Sequence, residues 1–191
     1  MKTKFLTTVA VLALSLSAGA QASLTSSGPL TVYDSVQNLT WTKNANLNGT
    51  MNWSTAVAWA NNLNYAGYTD WVLPTIDQLT TQFSTNLGKA AGVPIISSHN
   101  GDYNLFTNIQ SYNYSQSYNY WSGSVFAPNS IFAWYFGTGL DGSYIDYKFR
   151  PLYAWAVRPG DVAAVPVPGA FWLFSSALVG LMGLKRRGNI W

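Results

Sequence analysis

Two uncharged, mainly apolar runs sit near the two ends of this 191-residue chain, so a globular core must be built from the stretch between them. The first run, Phe5 to Leu16, follows Lys2 and Lys4 and leads to Ala20-Gln21-Ala22. A basic start, an apolar middle and small residues at the first and third places of the exit form the three-part plan of a secretory signal peptide. Cleavage is expected after Ala20 and Ala22, leaving Ser23 at the new N-terminus. The second run, Ala170 to Leu184, carries no charge and is followed at once by Lys185, Arg186 and Arg187. At about 1.5 Å rise per residue it reaches ~22 Å, short of the ~30 Å hydrocarbon layer, so it is a marginal transmembrane helix. Phe171-Trp172 at one edge and the basic cluster at the other suit the two interfaces. They predict a cytoplasmic C-terminus and a body outside the inner membrane.

Once both ends are set aside, the charge argument reverses. The whole chain carries +3, but residues 23–165 keep five basic side chains against seven aspartates, a net −2. No clustered basic face remains, which argues against a nucleic-acid partner. The body has no Cys, so an oxidising compartment offers it neither disulfide nor thiol chemistry. It also has no Glu, while seven of the nine Trp fall within it. Its stability must come from packing large aromatic side chains.

Periodicity divides the body. Residues 23–31 read as a lead-in, with Leu30 to Asp34 and Leu39 to Thr42 as short strands. Asn52 is placed to cap a helix to Leu63 with Trp53, Ala56, Val57 and Ala60 on one face, and Gly67 reads as its stop. Pro74 disfavours helix at Leu73, and Thr75 with Gln78 forms a capping box for a second helix to about Phe83. Residues 86–119 read as long loops with one short helix. Strand character returns at Tyr120–Ser124, Ile131–Phe136, Ser143–Tyr147 and, as one final strand, Leu152–Arg158, with Gly137–Gly142 as a hairpin turn. Helices early and strands late indicate an α+β domain, not alternating βαβ units.

Two resemblances follow from particular residues. Val165-Pro166-Val167-Pro168, the apolar run and Lys185-Arg186-Arg187 together resemble the PEP-CTERM sorting signal, with Val167 where the literal motif has Glu. That resemblance implies a Gram-negative host that makes exopolysaccharide, cleavage near the Pro motif by an exosortase, and only transient anchoring in the inner membrane. Delivery to the outer cell surface or biofilm matrix would follow. The body, residues 32–159, resembles the Lcl C-terminal domain family, a domain of unknown function. The matching blocks are Leu39-Thr-Trp41, Trp53-Ser-Thr-Ala56, Ala66-Gly-Tyr-Thr-Asp-Trp-Val-Leu-Pro-Thr75 with Leu79, Tyr120-Trp-Ser122, Ala133-Trp134 and Ala156-Val-Arg158. The Trp-x-Leu-Pro-Thr signature is similar to formylglycine-generating-enzyme and C-type-lectin-like folds, which implies one compact α+β domain with two helices and an antiparallel sheet. The copper chemistry of the enzyme relatives needs Cys, which is absent here. An adhesin of the family binds sulfated glycans through basic residues, and the acidic body gives no ground for carrying that ligand over. The chain thus reads as signal peptide 1–22, lead-in 23–31, domain 32–159, Pro-containing linker 160–169, sorting helix 170–184 and basic tail 185–191.

Catalytic signals are sparse. His99 is the only His and has no Cys partner, so no nucleophilic constellation is nominated. A zinc site needs several His or Cys ligands, which the sequence lacks. Calcium stays open as a ligand, since Asp102, Asp141 and Asp146 are scattered oxygen donors and Ala127-Pro-Asn129 is similar to a lectin calcium motif without its carboxylate. Trp53, Trp71, Trp121, Trp134 and Trp155 read as core. The best binding candidates are Tyr103, Tyr112, Tyr114, Tyr118 and Tyr120 in an Asn/Ser-rich run, where flat aromatic faces and adaptable hydrogen bonds suit sugar rings. The expectation is a non-enzymatic surface or matrix protein that binds polysaccharide, without catalytic residues, cofactor or metal. Exosortase and the secretion machinery are its partners during export. The alternatives are a self-associating matrix protein and a secreted hydrolase.

Overall fold

A computed structural model describes residues 24–111, 118–139 and 142–162. The signal segment, the Pro motif, residues 170–184 and the basic tail lie outside these residues. Among the described residues no helix is long and apolar enough to cross a membrane.

The domain is α+β, with two sheets and two short helices. Strands β1 (Leu24–Ser26), β2 (Thr31–Asp34), β3 (Leu39–Thr42) and β9 (Val157–Pro159) form an antiparallel sheet in that order. Strands β4 (Thr50–Met51), β8 (Leu152–Tyr153), β5 (Asn119–Val125), β6 (Phe132–Gly137) and β7 (Ser143–Tyr147) form the second, ordered β4-β8-β5-β6-β7. Its β5–β8 pair, at Tyr120 and Tyr153, is parallel.

Leu152–Arg158, expected as one strand, is divided between the sheets. Trp155 explains the break. Its fully buried indole donates to the Thr42 carbonyl at 2.8 Å and packs on Trp41 and Phe106, both 4.9 Å between ring centres. Seating that ring between the two sheets turns the chain out of one and into the other. Val157 then exchanges both backbone hydrogen bonds with Val72 at 2.8 and 2.9 Å. The lead-in also differs from expectation, because β1 pairs Leu24 with Asp34 and Ser26 with Val32. Only Leu24 of that strand is buried, so its sequence carries no alternation to read.

Helix α1 (Trp53–Asn61) starts where expected, the Asn52 side chain accepting from Thr55 N–H at 2.9 Å. It ends earlier than expected, and Gly67 does not stop it. Gly67 (φ +83°) belongs to a separate turn in which Tyr65 and Tyr68 exchange backbone hydrogen bonds at 3.0 Å. The Trp71 indole donates into that turn, to the Tyr65 and Tyr68 carbonyls. Helix α2 (Ile76–Thr80) has the expected reciprocal box between Thr75 and Gln78, and continues as a π-helical turn, Thr81–Asn86. The loop region that follows contains two 3₁₀ turns, Ile95–Ser97 and Gly101–Leu105, where one short helix was expected.

Two apolar clusters lie on opposite faces of the second sheet. Phe136 and Tyr120 join Leu79, Phe83 and Trp155 on one side; Trp121 and Ala133 join Ala56 and Ala60 of α1 on the other. This alternation fixes which face each β6 and β7 residue presents.

Candidate functional site

Of the tyrosines nominated from sequence, Tyr118 and Tyr120 share one neighbour, Tyr153, and Tyr103 packs against the same core cluster as Tyr120. Tyr112 and Tyr114 lie outside the described residues. Tyr103 is half-buried and stacks on His99 at 4.1 Å and 16°. Burial raises its hydroxyl pKa. Tyr118 is half-buried with its ring 5.7 Å from that of Tyr153. Tyr120 is a correction. It is fully buried, packs against Phe83 and Trp155, and accepts the Gln110 N–H at 2.7 Å. Burial drives its hydroxyl pKa far above the usual phenol value. Its position in an apolar β5 places it in the core, so it presents no face to a ligand.

His99 Nδ1 lies 3.0 Å from the Asn100 carbonyl oxygen, and among the described residues no Ser or Asp side chain hydrogen-bonds its ring. Among those residues no three His or Asp side chains converge as metal ligands. Asp141 lies outside them, and the Asn129 carboxamide oxygen accepts the Ile131 N–H within its own turn. Trp71, Trp121 and Trp155 are core residues, as is Trp41. Trp53 is partly buried against the second cluster, while Trp134 is half-exposed, contrary to expectation.

A different surface emerges where β7 ends beside the start of α1. Lys148 N–H donates to the Ile131 carbonyl at 3.0 Å and its own carbonyl accepts from Trp53 N–H at 2.9 Å. These bonds tie the turn after β7 to the N-terminus of α1. Between them lies an open groove of about 760 Å³, with Tyr147, Phe149 and Ile131 on the apolar side and exposed Asn52, Ser54 and Thr55 on the polar side. Lys148 also lines it, its ammonium 4.1 Å from the centre of the Trp53 ring. The Trp53 indole is fixed by donation to the Ser122 carbonyl at 2.8 Å.

Phe149 dominates this groove. The residue is 72% exposed, although an isolated Phe side chain gains roughly 1.5–3 kcal/mol by burial. One face rests on Tyr147 at 5.3 Å and 25°, and Tyr147 in turn meets Phe132 at 4.5 Å. The stack on Tyr147 therefore helps to hold the ring in place. Asp146 and Arg150 pair nearby at 3.8 Å, and among the described residues no carboxylate lines the groove itself. Such a held aromatic ring beside exposed hydroxyl and amide groups can stack on a flat, partly apolar ligand while hydrogen-bonding its edges.

Sequence reasoning missed this site because residues 52–55 and 147–149 meet only in the fold. The one local signal was Tyr147-Lys148-Phe149, two aromatic residues at a strand end with no apolar strand continuing beyond them.

The sequence model of the Lcl C-terminal domain matches residues 30–158, covering both helices and every strand from β2 to β8. No curated protein matches the chain.

Proposed function

The chain belongs to the Lcl C-terminal domain family, and we propose that it is a non-enzymatic cell-surface or matrix protein that binds carbohydrate through the Phe149 groove. The single observation carrying this reading is the highly exposed Phe149 ring, backed by Tyr147 and facing the polar start of α1. Pyranose rings have one face of C–H groups and a perimeter of hydroxyls, and this pairing of aromatic platform and polar rim complements both. The Trp-x-Leu-Pro-Thr signature supports a C-type-lectin-like form of the α+β domain. The N-terminal signal and the PEP-CTERM-like tail support export, exosortase processing and a place near the host's own exopolysaccharide.

Self-association is the competing reading, and the geometry of β7 weighs against its simplest form. β7 is an edge strand. Because Lys148 N–H points inward to β6, the Tyr147 N–H points outward, where the Asp146 carboxylate accepts it at 2.7 Å. The Tyr147 carbonyl is taken by Arg150 N–H at 2.9 Å. With the outward polar groups of Tyr147 consumed locally, this end of the edge is a poor template for another strand.

Retention of the purified protein on immobilised polysaccharides and glycan arrays tests the proposal. Phe149→Ala is expected to lower affinity about tenfold or more while leaving stability within ~0.5 kcal/mol, as for other exposed substitutions. Absence of retention on every polysaccharide, or full retention by Phe149→Ala, would overturn it.

A further inference from the structure

The Phe149–Tyr147 pair does not end at the groove. β6 and β7 are in antiparallel register, with Phe132 opposite Tyr147 and Trp134 opposite Ile145. Phe132 and Trp134 therefore project on the same face as Tyr147, the face that Phe136 shares further along β6. Phe136 is buried under α2 and the π turn, stacked on Phe83 at 4.7 Å. Trp134 and Phe132 lie on that face closer to the other end of β6, and both are half-exposed. Phe126, in the turn between β5 and β6, closes the series. Its ring is 6.4 Å from Phe132 and 5.8 Å from Trp134. Phe149, Tyr147, Phe132, Phe126 and Trp134 thus form an unbroken series of ring contacts, none of the five rings being fully buried.

A series of this length exceeds the footprint of one pyranose, which covers one ring and part of the next. The groove is open, not a closed end-pocket, and nothing in its lining selects a chain terminus. Its charge is low: Asp146 and Arg150 pair with each other, and among the described residues Lys148, held over the Trp53 ring, is the one charged side chain in the groove lining. The consumed backbone groups of Tyr147 disfavour a second copy adding a strand here. We infer that the aromatic series from Phe149 to Trp134 is a multi-subsite surface for an internal stretch of a neutral, extended polysaccharide whose sugar rings carry equatorial substituents. Such rings present continuous apolar faces, and successive sugars can lie on successive side chains. This inference rests on the carbohydrate reading above and specifies its substrate class.

The test is a length series of neutral β-1,4-linked gluco-oligosaccharides, from glucose to the hexamer, titrated against the purified full-length protein by calorimetry. A carboxymethylated chain and a hexamer with its reducing end converted to the alditol serve as further arms. Affinity is expected to rise about tenfold or more between dimer and hexamer, since each added sugar can reach a further ring. The alditol should bind as the parent hexamer does, and carboxymethylation should bring no gain. Trp134→Ala should remove most of the gain with length. Because Trp134 is half-buried, its variant is compared by thermal melt, and the length series on the unaltered protein stands independently of it. Equal affinity for dimer and hexamer, dependence on the chain end, or preference for the charged chain would overturn the inference while leaving carbohydrate binding in place. No binding to any oligosaccharide or polysaccharide would overturn both.

Discussion

Arg158 and Asp70 show how one charged contact stabilises the join between β9 and the loop after α1. Arg158 donates from Nε and Nη2 to the two Asp70 oxygens at 2.7 and 2.9 Å, and its guanidinium lies 4.1 Å from the Tyr68 ring centre. The hydrogen-bonded guanidinium holds the Asp70 carboxyl below its ordinary pKa. A depressed carboxylate pKa gives stability that is complete above the unfolded value of about 3.9 and is lost as pH falls through the lower folded value. Asp70 is 52% exposed, so solvent screening keeps the contribution below ~1 kcal/mol. Asp70→Asn is therefore expected to lower the urea midpoint slightly at pH 7, and the gap from the parent should close below about pH 4. A gap that persists undiminished in acid would assign the effect to packing instead. At this scale much was legible in advance. Asn52, Thr75 and Gln78 were readable as caps because a cap bonds within its own turn. Trp134 and Tyr120 were not, because alternation shows that two faces exist without showing which one is covered.

At the scale of elements, β7 carries the most informative feature. Its outward-facing N–H at Tyr147 is satisfied by Asp146, whose carboxylate also pairs with Arg150. Asp146→Ala would free that donor on an edge that already displays Tyr144, Ile145 and Tyr147. Such a strand is a template for association. Sedimentation should show the weight-average mass of Asp146→Ala rising with concentration more steeply than the parent's, whereas Asp146→Asn, which keeps an acceptor oxygen, should follow the parent. Identical behaviour of all three would remove the protective role assigned to Asp146. Elements with internal periodicity, such as α1, β2, β3 and β7, were recognisable from sequence. β1 and the division of Leu152–Arg158 were not. The first depends on a partner strand, and the second on where the Trp155 indole must sit.

For the whole molecule, the two ends of the domain meet. Ser27 Oγ donates to Asp161 at 2.6 Å and the Tyr68 hydroxyl donates to the Val162 carbonyl at 3.1 Å. The lead-in and the chain leading to the Pro motif thus leave the domain close together, while the aromatic series sits on the β6–β7 side of the other sheet. If the tail is a sorting handle, mass spectrometry of protein recovered from native cells should show a C-terminus lost near Val165 to Pro168 and no peptide containing Lys185, Arg186 and Arg187. An intact basic end on the mature protein would refute processing.

The sequence by itself determined the α+β class, the family and the capped helix starts. It also set the export expectations, because each rests on local order along the chain: periodicity, a cap and its partner three residues on, or an apolar run beside its charges. Only the tertiary structure decided which aromatic rings are core and which are surface. Tyr120 and Trp134 lie in similar aromatic strands, yet one is enclosed by Phe83 and Trp155 while the other is left half-exposed beside Phe126. The difference arises because burial depends on what packs over a strand from distant parts of the chain. The same long-range packing carries residues 52–55 to residues 147–149 and creates the groove.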